Sequence, residues 1–308
     1  MTDAPPPGAP CPPIRHLTAG EAAALAHGRD GALAGLREEL RVNFARGPGA
    51  VVLRGLDASA LGEAAFAVIV ASIGRWLGAA SIQSPAGECI ARVEAVPGEA
   101  QARGTHSDSE LRAHTDLHDI LALGCCRPAV AGGESFLISA PALYQAIRRE
   151  APQHLPALHE GYYWGTNPVL RSARRISTRK VPVFFPAAAG RGVQCAWNGY
   201  FMRQAALTRG EEVPPALADA LAVLTLEAER MAQEARFMAQ AGDIVFWHNW
   251  SWLHGRTAFV DSAAQRRLLF RLWLRSELPP RADPLLAERA NFIDRDHALT
   301  RQEGMAMP

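Results

Sequence analysis

The sequence predicts a mixed α and β protein, a double-sheet jelly-roll core wrapped by helices. Three observations predict it. Short β-patterned apolar runs crowd the second half of the chain, helical periodicity lies at the front and in a late insertion, and neither a repeat nor a linker divides two cores. A doubly wound parallel sheet fits poorly, because strands and helices do not alternate and no GxGxxG follows a strand. The expected organisation is a disordered tail over residues 1–16, then a single domain over 17–308 with helical insertions.

The tail is expected because Pro5-Pro6-Pro7 and Pro12-Pro13 leave little apolar surface to bury. Thr18 with Glu21 has capping-box spacing and starts a helix to about His27. Leu33, Leu36, Leu40 and Phe44 form one stripe of a second helix, which Gly47-Pro48-Gly49 breaks. Ala50 to Leu53 is a short apolar run, hence a buried strand, and Leu61 to Leu77 a third helix ended by Gly78. A strand is expected over Cys89 to Val93, then a polar loop over Pro97 to Ser109. Core strands follow at Asp119 to Cys126 and Glu134 to Ile138, with helices over Pro141 to Glu150 and Pro152 to Leu158. Gly161 to Trp164, Val181 to Phe185 and Val193 to Trp197 are aromatic or β-branched and strand-like. Pro215 to Glu234 is a long helix. Ile244 to His248 and Arg267 to Leu274 are the last strands.

Composition narrows the function. Of 308 residues, 48% are hydrophobic and 20% charged, as in an ordinary globular protein, and a net charge of +1 offers no field for nucleic acid or anionic membrane. Of the 32 lysines and arginines, Lys180 is the only lysine. Five cysteines without CxxC spacing make a zinc ribbon or disulfide scaffold improbable. No apolar run is long enough to span a bilayer and no signal peptide is visible, so a cytoplasmic protein is expected.

The chemistry concentrates in two stretches, Ala113-His114-Thr115-Asp116 and Trp252-Leu253-His254-Gly255-Arg256. In extended backbone, residues i and i+2 share a face, so His114 and Asp116 reach one metal together. His254, where an apolar strand gives way to a loop, is the expected third ligand. Two imidazoles and a carboxylate on one side of a metal form the facial triad of non-haem Fe(II) oxygenases. Two decoys exist. His106-Ser107-Asp108 repeats the spacing in a polar loop and is expected to be solvent-exposed. His118 follows His114 at a spacing that pairs ligands only on a helix. Arg267 and Arg271 fall on one face of the last strand among apolar neighbours, and two buried guanidiniums call for anions. A dicarboxylate would satisfy one of them through a two-pronged salt bridge.

These blocks together resemble the taurine dioxygenase (TauD/TfdA-like) family of Fe(II)- and 2-oxoglutarate-dependent oxygenases. The resemblance rests on Ser109-Glu110-Leu111, His114-Thr115-Asp116, Gly132-Gly133-Glu134-Ser135, Gly242-Asp243-Ile244, Asn249, His254-Gly255-Arg256-Thr257-Ala258-Phe259 and Arg266-Arg267 to Leu274, in family order, over about Gly49 to Leu274. It implies a double-stranded β-helix, with His114, Asp116 and His254 as catalytic iron ligands. Arg267 corresponds to the arginine that grips the distal carboxylate of 2-oxoglutarate. Ser135 stands where the family usually has Thr and keeps the hydroxyl. Arg271 corresponds to a second arginine that touches substrate or the other end of 2-oxoglutarate. Gln83 falls in a segment that lies near the pocket in relatives. The implied cosubstrates are 2-oxoglutarate and O2, and retention of Asp116 implies hydroxylation or desaturation, since related halogenases lack this carboxylate.

The expected substrate is a small anionic or amino-acid-like molecule of specialised metabolism. Tyr162, Tyr163, Trp164, Trp197 and Trp250 are candidate pocket aromatics, with ordinary core packing the blander alternative. The basic run from Arg171 to Lys180 is expected to be a solvated loop rather than a lid. A zinc hydrolase would need a general-base Glu such as HExxH provides, and none is present. A non-catalytic jelly-roll binding module is the other alternative; a homo-oligomer is compatible with the sequence.

Overall fold

The computed structural model describes residues 12–84, 86–96, 106–165, 176–186, 192–278 and 286–287. The front of the chain runs β1 (Ile14–His16), α1 (Ala19–Ala26), α2 (Ala34–Arg46), β2 (Ala50–Arg54), α3 (Ala58–Gly74), β3 (Ala79–Ala80), β4 (Ile90–Val93) and β5 (Leu111–His114). Then come β6 (Ile120–Arg127), β7 (Ala131–Gly132), β8 (Ser135–Ser139), α4 (Ala140–Glu150), α5 (Leu155–Glu160), β9 (Phe184–Pro186), β10 (Val193–Cys195) and α6 (Gly199–Arg209). The chain closes with α7 (Pro215–Glu234), β11 (Arg236–Phe237), β12 (Ile244–His248), β13 (Trp252–Arg256), β14 (Phe259–Val260) and β15 (Leu268–Arg275).

Two sheets dominate. The larger has the order β1-β2-β12-β6-β15-β3, with β4 also on β15; the smaller has the order β11-β8-β13-β5. Every pairing is antiparallel except β1 with β2. The sheets face each other across Val52, Leu121, Val245 and Trp247 from the larger and Leu137 and Trp252 from the smaller. The outer face of the larger sheet carries α1 to α3, through Leu36, Phe44, Phe66 and Val70 against Phe246 and Phe270. The outer face of the smaller sheet carries α4 to α7, through Leu143, Leu158, Met202 and Leu224 against Ile138 and Leu253. The order is helices, sheet, sheet, helices, and each layer buries the apolar face of the next.

Local chemistry explains the boundaries. Thr18 closes the capping box with Glu21. α3 starts earlier than its apolar stripe predicts because the Asp57 carboxylate accepts from the backbone N–H of Ser59 and Ala60. The stripe of Leu33, Leu36, Leu40 and Phe44 is buried as its spacing requires.

Four expectations need correction. Residues 14–16, assigned to the tail, form β1, whose backbone pairs in parallel with Val52 to Arg54; residues 1–11 lie outside the described residues. α6 has no counterpart in the sequence reading. Its Tyr200, Phe201 and Met202 run consecutively and blur the helical period, although Asn198 caps its start and Gly210 ends it in the left-handed region. Gly161 to Trp164 is not a strand but meets Val181 through one bridge at Tyr162. His254 lies inside β13 rather than in a loop beyond a strand.

Candidate metal centre

The triad is assembled by the smaller sheet. β5 and β13 are antiparallel neighbours with His114 directly opposite His254, and the two rings lie 4.2 Å apart. Asp116 follows two residues after the end of β5, where the alternation still turns its side chain to the same side. Asn249 clasps its backbone: the Asp116 N–H donates to Asn249 Oδ1 (2.9 Å) and Asn249 Nδ2 donates back to the Asp116 carbonyl (3.0 Å). The intervening Thr115 is fixed by the segment after β10, its N–H donating to the Trp197 carbonyl at 2.7 Å. These bonds fix the backbone of the ligand segment beyond β5.

His114 Nε2 lies 3.7 Å from Asp116 Oδ1, and His254 Nε2 lies 3.9 Å from Asp116 Oδ2. One donor atom from each of the three residues falls within 4.8 Å of the others. His114 Nδ1 faces the Arg112 carbonyl at 2.8 Å, which fixes the tautomer with the Nε2 lone pair toward the cluster. Burial, then the neighbouring His114, push His254 down to about 3, so its imidazole is neutral. Burial alone would raise the Asp116 carboxyl, but His254, His114, Arg271 and the Trp273 N–H outweigh it and hold the group below the ordinary carboxylate value. A neutral His254 imidazole and an ionised Asp116, with His114 Nε2 facing the same point, form a donor set that suits a divalent metal.

The opposing sheet supplies the cations. Arg267, just before β15, and Arg271, within it, line the same cavity as the triad, together with Ser135 and Gln83. Arg267 is 4% exposed, its Cζ lies 4.9 Å from the Phe259 ring centre, and burial lowers its affinity for its proton. Among the described residues no side chain or carbonyl pairs with its guanidinium. A buried cation so placed is a site for an anionic ligand. Ser135 opens β8 opposite Arg256. Arg271 donates through Nε to Gln83 Oε1 (2.8 Å) and stacks 4.1 Å from the Trp273 ring centre. Gln83 Nε2 in turn donates to the Arg271 and Cys89 carbonyls (2.8 and 2.9 Å), so Gln83 is held as a fixed support for Arg271.

His106 is exposed and stands apart from the cluster, as its polar loop predicts. His118 is buried against Trp273 with rings 4.9 Å apart and takes no part in the triad. Tyr163 and Trp250, expected to line the pocket, do not. Trp250 is fully buried behind the smaller sheet with Nε1 on Asp119 (3.1 Å), and Tyr163 packs under Arg209. Tyr162 and Trp164 are core as well, and of the five candidate aromatics Trp197 alone lines the cavity. Residues 171–175 lie outside the described residues; Lys180 pairs with Glu160.

The sequence reading passed over Trp273. Its indole N–H donates to Asp116 Oδ2 at 2.9 Å, tying the larger sheet to the metal carboxylate. The signal was available, since Trp273 shares the β15 face with Arg271. Trp247, 4.8 Å from the His254 ring, is a second missed neighbour.

Comparison with known proteins agrees with this geometry. The family model described as "Taurine catabolism dioxygenase TauD, TfdA family" matches residues 18–273. The chain is 27% identical over 250 residues to FR-33289 synthase of Streptomyces rubellomurinus (strain ATCC 31215), covering 75% of this chain and 70% of that protein. Among solved structures it is similar to an asparagine oxygenase in complex with Fe(II), 2S,3S-3-hydroxyasparagine and succinate. There the TM-score is 0.68 at 20% identity, over 85% of this chain and 93% of that one. It is similar also to the non-heme iron oxygenase OrfP in complex with Fe and alpha-ketoglutaric acid, with a TM-score of 0.64 at 17% identity, over 86% and 95%.

Proposed function

This chain belongs to the taurine catabolism dioxygenase TauD, TfdA family, and on that premise we propose that it is an Fe(II)- and 2-oxoglutarate-dependent oxygenase. It would hydroxylate or desaturate an unactivated C–H bond of a small anionic or amino-acid-like molecule and release succinate and CO2. The observation that carries this reading is the facing of the His114, Asp116 and His254 cluster by two guanidiniums across one cavity. We read the two facing sheets as the double-stranded β-helix of this family, one domain from residue 17 onward, and the protein as cytoplasmic. No helix among the described residues is long and apolar enough to cross a membrane.

The donor set fits Fe(II): His114, Asp116 and His254 would hold it through two imidazole nitrogens and a carboxylate oxygen, beside the cavity. When bound, the iron would activate O2 at the expense of 2-oxoglutarate. The residues of this chain do the positioning. His114, Asp116 and His254 would hold the metal, and the Trp273 N–H, donating to Asp116 Oδ2, orients that carboxylate. Arg267 takes the distal carboxylate of 2-oxoglutarate in a two-pronged grip, with the Ser135 hydroxyl beside it. Arg271, braced by Gln83, meets the substrate's anionic group. Trp247, Leu121 and Leu123 line the cavity and exclude water around these groups.

The test is to incubate the protein with Fe(II), 2-oxoglutarate and O2 and assay succinate, alongside anaerobic binding of both cofactors. Binding with succinate release is the expected result. Failure to bind either, and no succinate with any substrate panel, overturns the reading.

A further inference from the structure

We propose that the substrate enters as an anion without a free ammonium group, carrying an apolar body that lies in a trough between α6 and α7. The inference rests on the oxygenase reading above and narrows its substrate class away from zwitterionic amino acids.

Charge is the first argument. Among the described residues, the lining of the cavity includes two acids, Asp116 and Glu229. Asp116 belongs to the metal cluster and already accepts from Trp273. Glu229 stands at the α7 rim, 3.6 Å from Arg112. The amides on the lining are engaged as well. Gln83 Oε1 takes Arg271 Nε, and Asn198 Oδ1 caps α6 by accepting from the Tyr200 N–H. An ammonium beside Arg271 would therefore meet a guanidinium and no free acceptor among these groups, which is costly away from water. Arg271 keeps Nη1 and Nη2 without partners among the described residues, so an anionic head is received where an ammonium is refused.

Shape is the second argument. The cavity holds about 1160 Å3. That is beyond the roughly 300–1,000 Å3 typical of drug-sized ligands and leaves ample space after 2-oxoglutarate. On and between α6 and α7 the lining includes Phe201, Val213, Ala218, Leu221 and Leu226, which carry no charge. An apolar body laid there releases water from both surfaces.

The test uses the anaerobic protein loaded with Fe(II) and 2-oxoglutarate, whose visible absorption first reports that the loaded centre has formed. Titration calorimetry then compares three probes of one carbon skeleton: octanoate, 2-aminooctanoate and N-acetyl-2-aminooctanoate. Octanoate and the N-acetyl compound are expected to bind at least about tenfold more tightly than the zwitterion, and Arg271→Met to erase octanoate binding while the absorption persists. A zwitterion that binds as tightly as octanoate overturns the inference and leaves the oxygenase reading intact. So does propanoate binding as tightly as octanoate, since the trough would then contribute nothing. Absence of the absorption overturns the oxygenase reading itself.

Discussion

His114 and His106 head HxD triplets of the same spacing, and their surroundings separate them. His106 is exposed, whereas His114 opposes His254 across a strand pair and has its Nδ1 fixed by a carbonyl. His114→Ala is expected to abolish Fe(II) binding in anaerobic titration, and His106→Ala to leave it unchanged; loss in both would mean that the wrong triplet is assigned. For Arg267→Ala, leaving a carboxylate buried without its cation costs about 2–5 kcal/mol, so the 2-oxoglutarate requirement should rise by well over tenfold. Arg267→Lys should recover little, because an ammonium cannot grip both oxygens. An effect confined to substrate affinity would exchange its role with that of Arg271. The triad also sets a pH dependence. His254 falls from its ordinary 6.5 to about 3 in the fold, so between those values the unfolded chain binds more protons. Stability of the metal-free protein is therefore lost as pH falls from about 6.5 toward 3, and the lowered Asp116 acts in the same direction. Urea melts at several pH values should show this slope, and His254→Gln should flatten it. A midpoint unmoved by acid in the unaltered protein would contradict the account.

At the scale of the element, β13 shows how much the sequence carried. Its histidine was legible, but its place within a strand was not, because Trp252 to Arg256 is too short and too mixed for a period-2 signal and is buried on both faces. Gly255 is the element's critical residue. A Cβ there would meet the Leu111 carbonyl oxygen at 2.3 Å and the Phe136 ring at 2.3 Å, so only glycine lets β5 and β8 close on β13. Gly255→Ala is expected to cost about 1–3 kcal/mol and to weaken Fe(II) binding by moving His254, read by a melt and a metal titration on the same sample. α6 was illegible for the opposite reason: its cap and its stop were present, but Tyr200, Phe201 and Met202 are consecutive and Leu207 is exposed, so no helical stripe forms. β15 was read nearly in full, since it sits between two hydrophobic faces and its arginines interrupt an otherwise apolar run.

At the scale of the molecule, the site is a meeting of two sheets. The smaller brings the two imidazoles and, just beyond β5, the carboxylate; the larger brings the guanidiniums, and Trp273 joins them through one hydrogen bond. The residue types and their order were visible in the sequence. Their opposition was not, because it depends on tertiary closure between β5 and β15, and for the same reason the core aromatics Tyr163 and Trp250 were misplaced in the pocket. The central claim is that this opposition seats 2-oxoglutarate between Arg267 and the metal so that its oxidation consumes O2. The most direct measurement is the mass of succinate released from 2-oxoglutarate by the Fe(II)-loaded protein under ¹⁸O2. The account predicts succinate bearing one ¹⁸O atom, lost in both His114→Ala and Arg267→Ala. Unlabelled succinate, or labelled succinate undiminished in those variants, would contradict it.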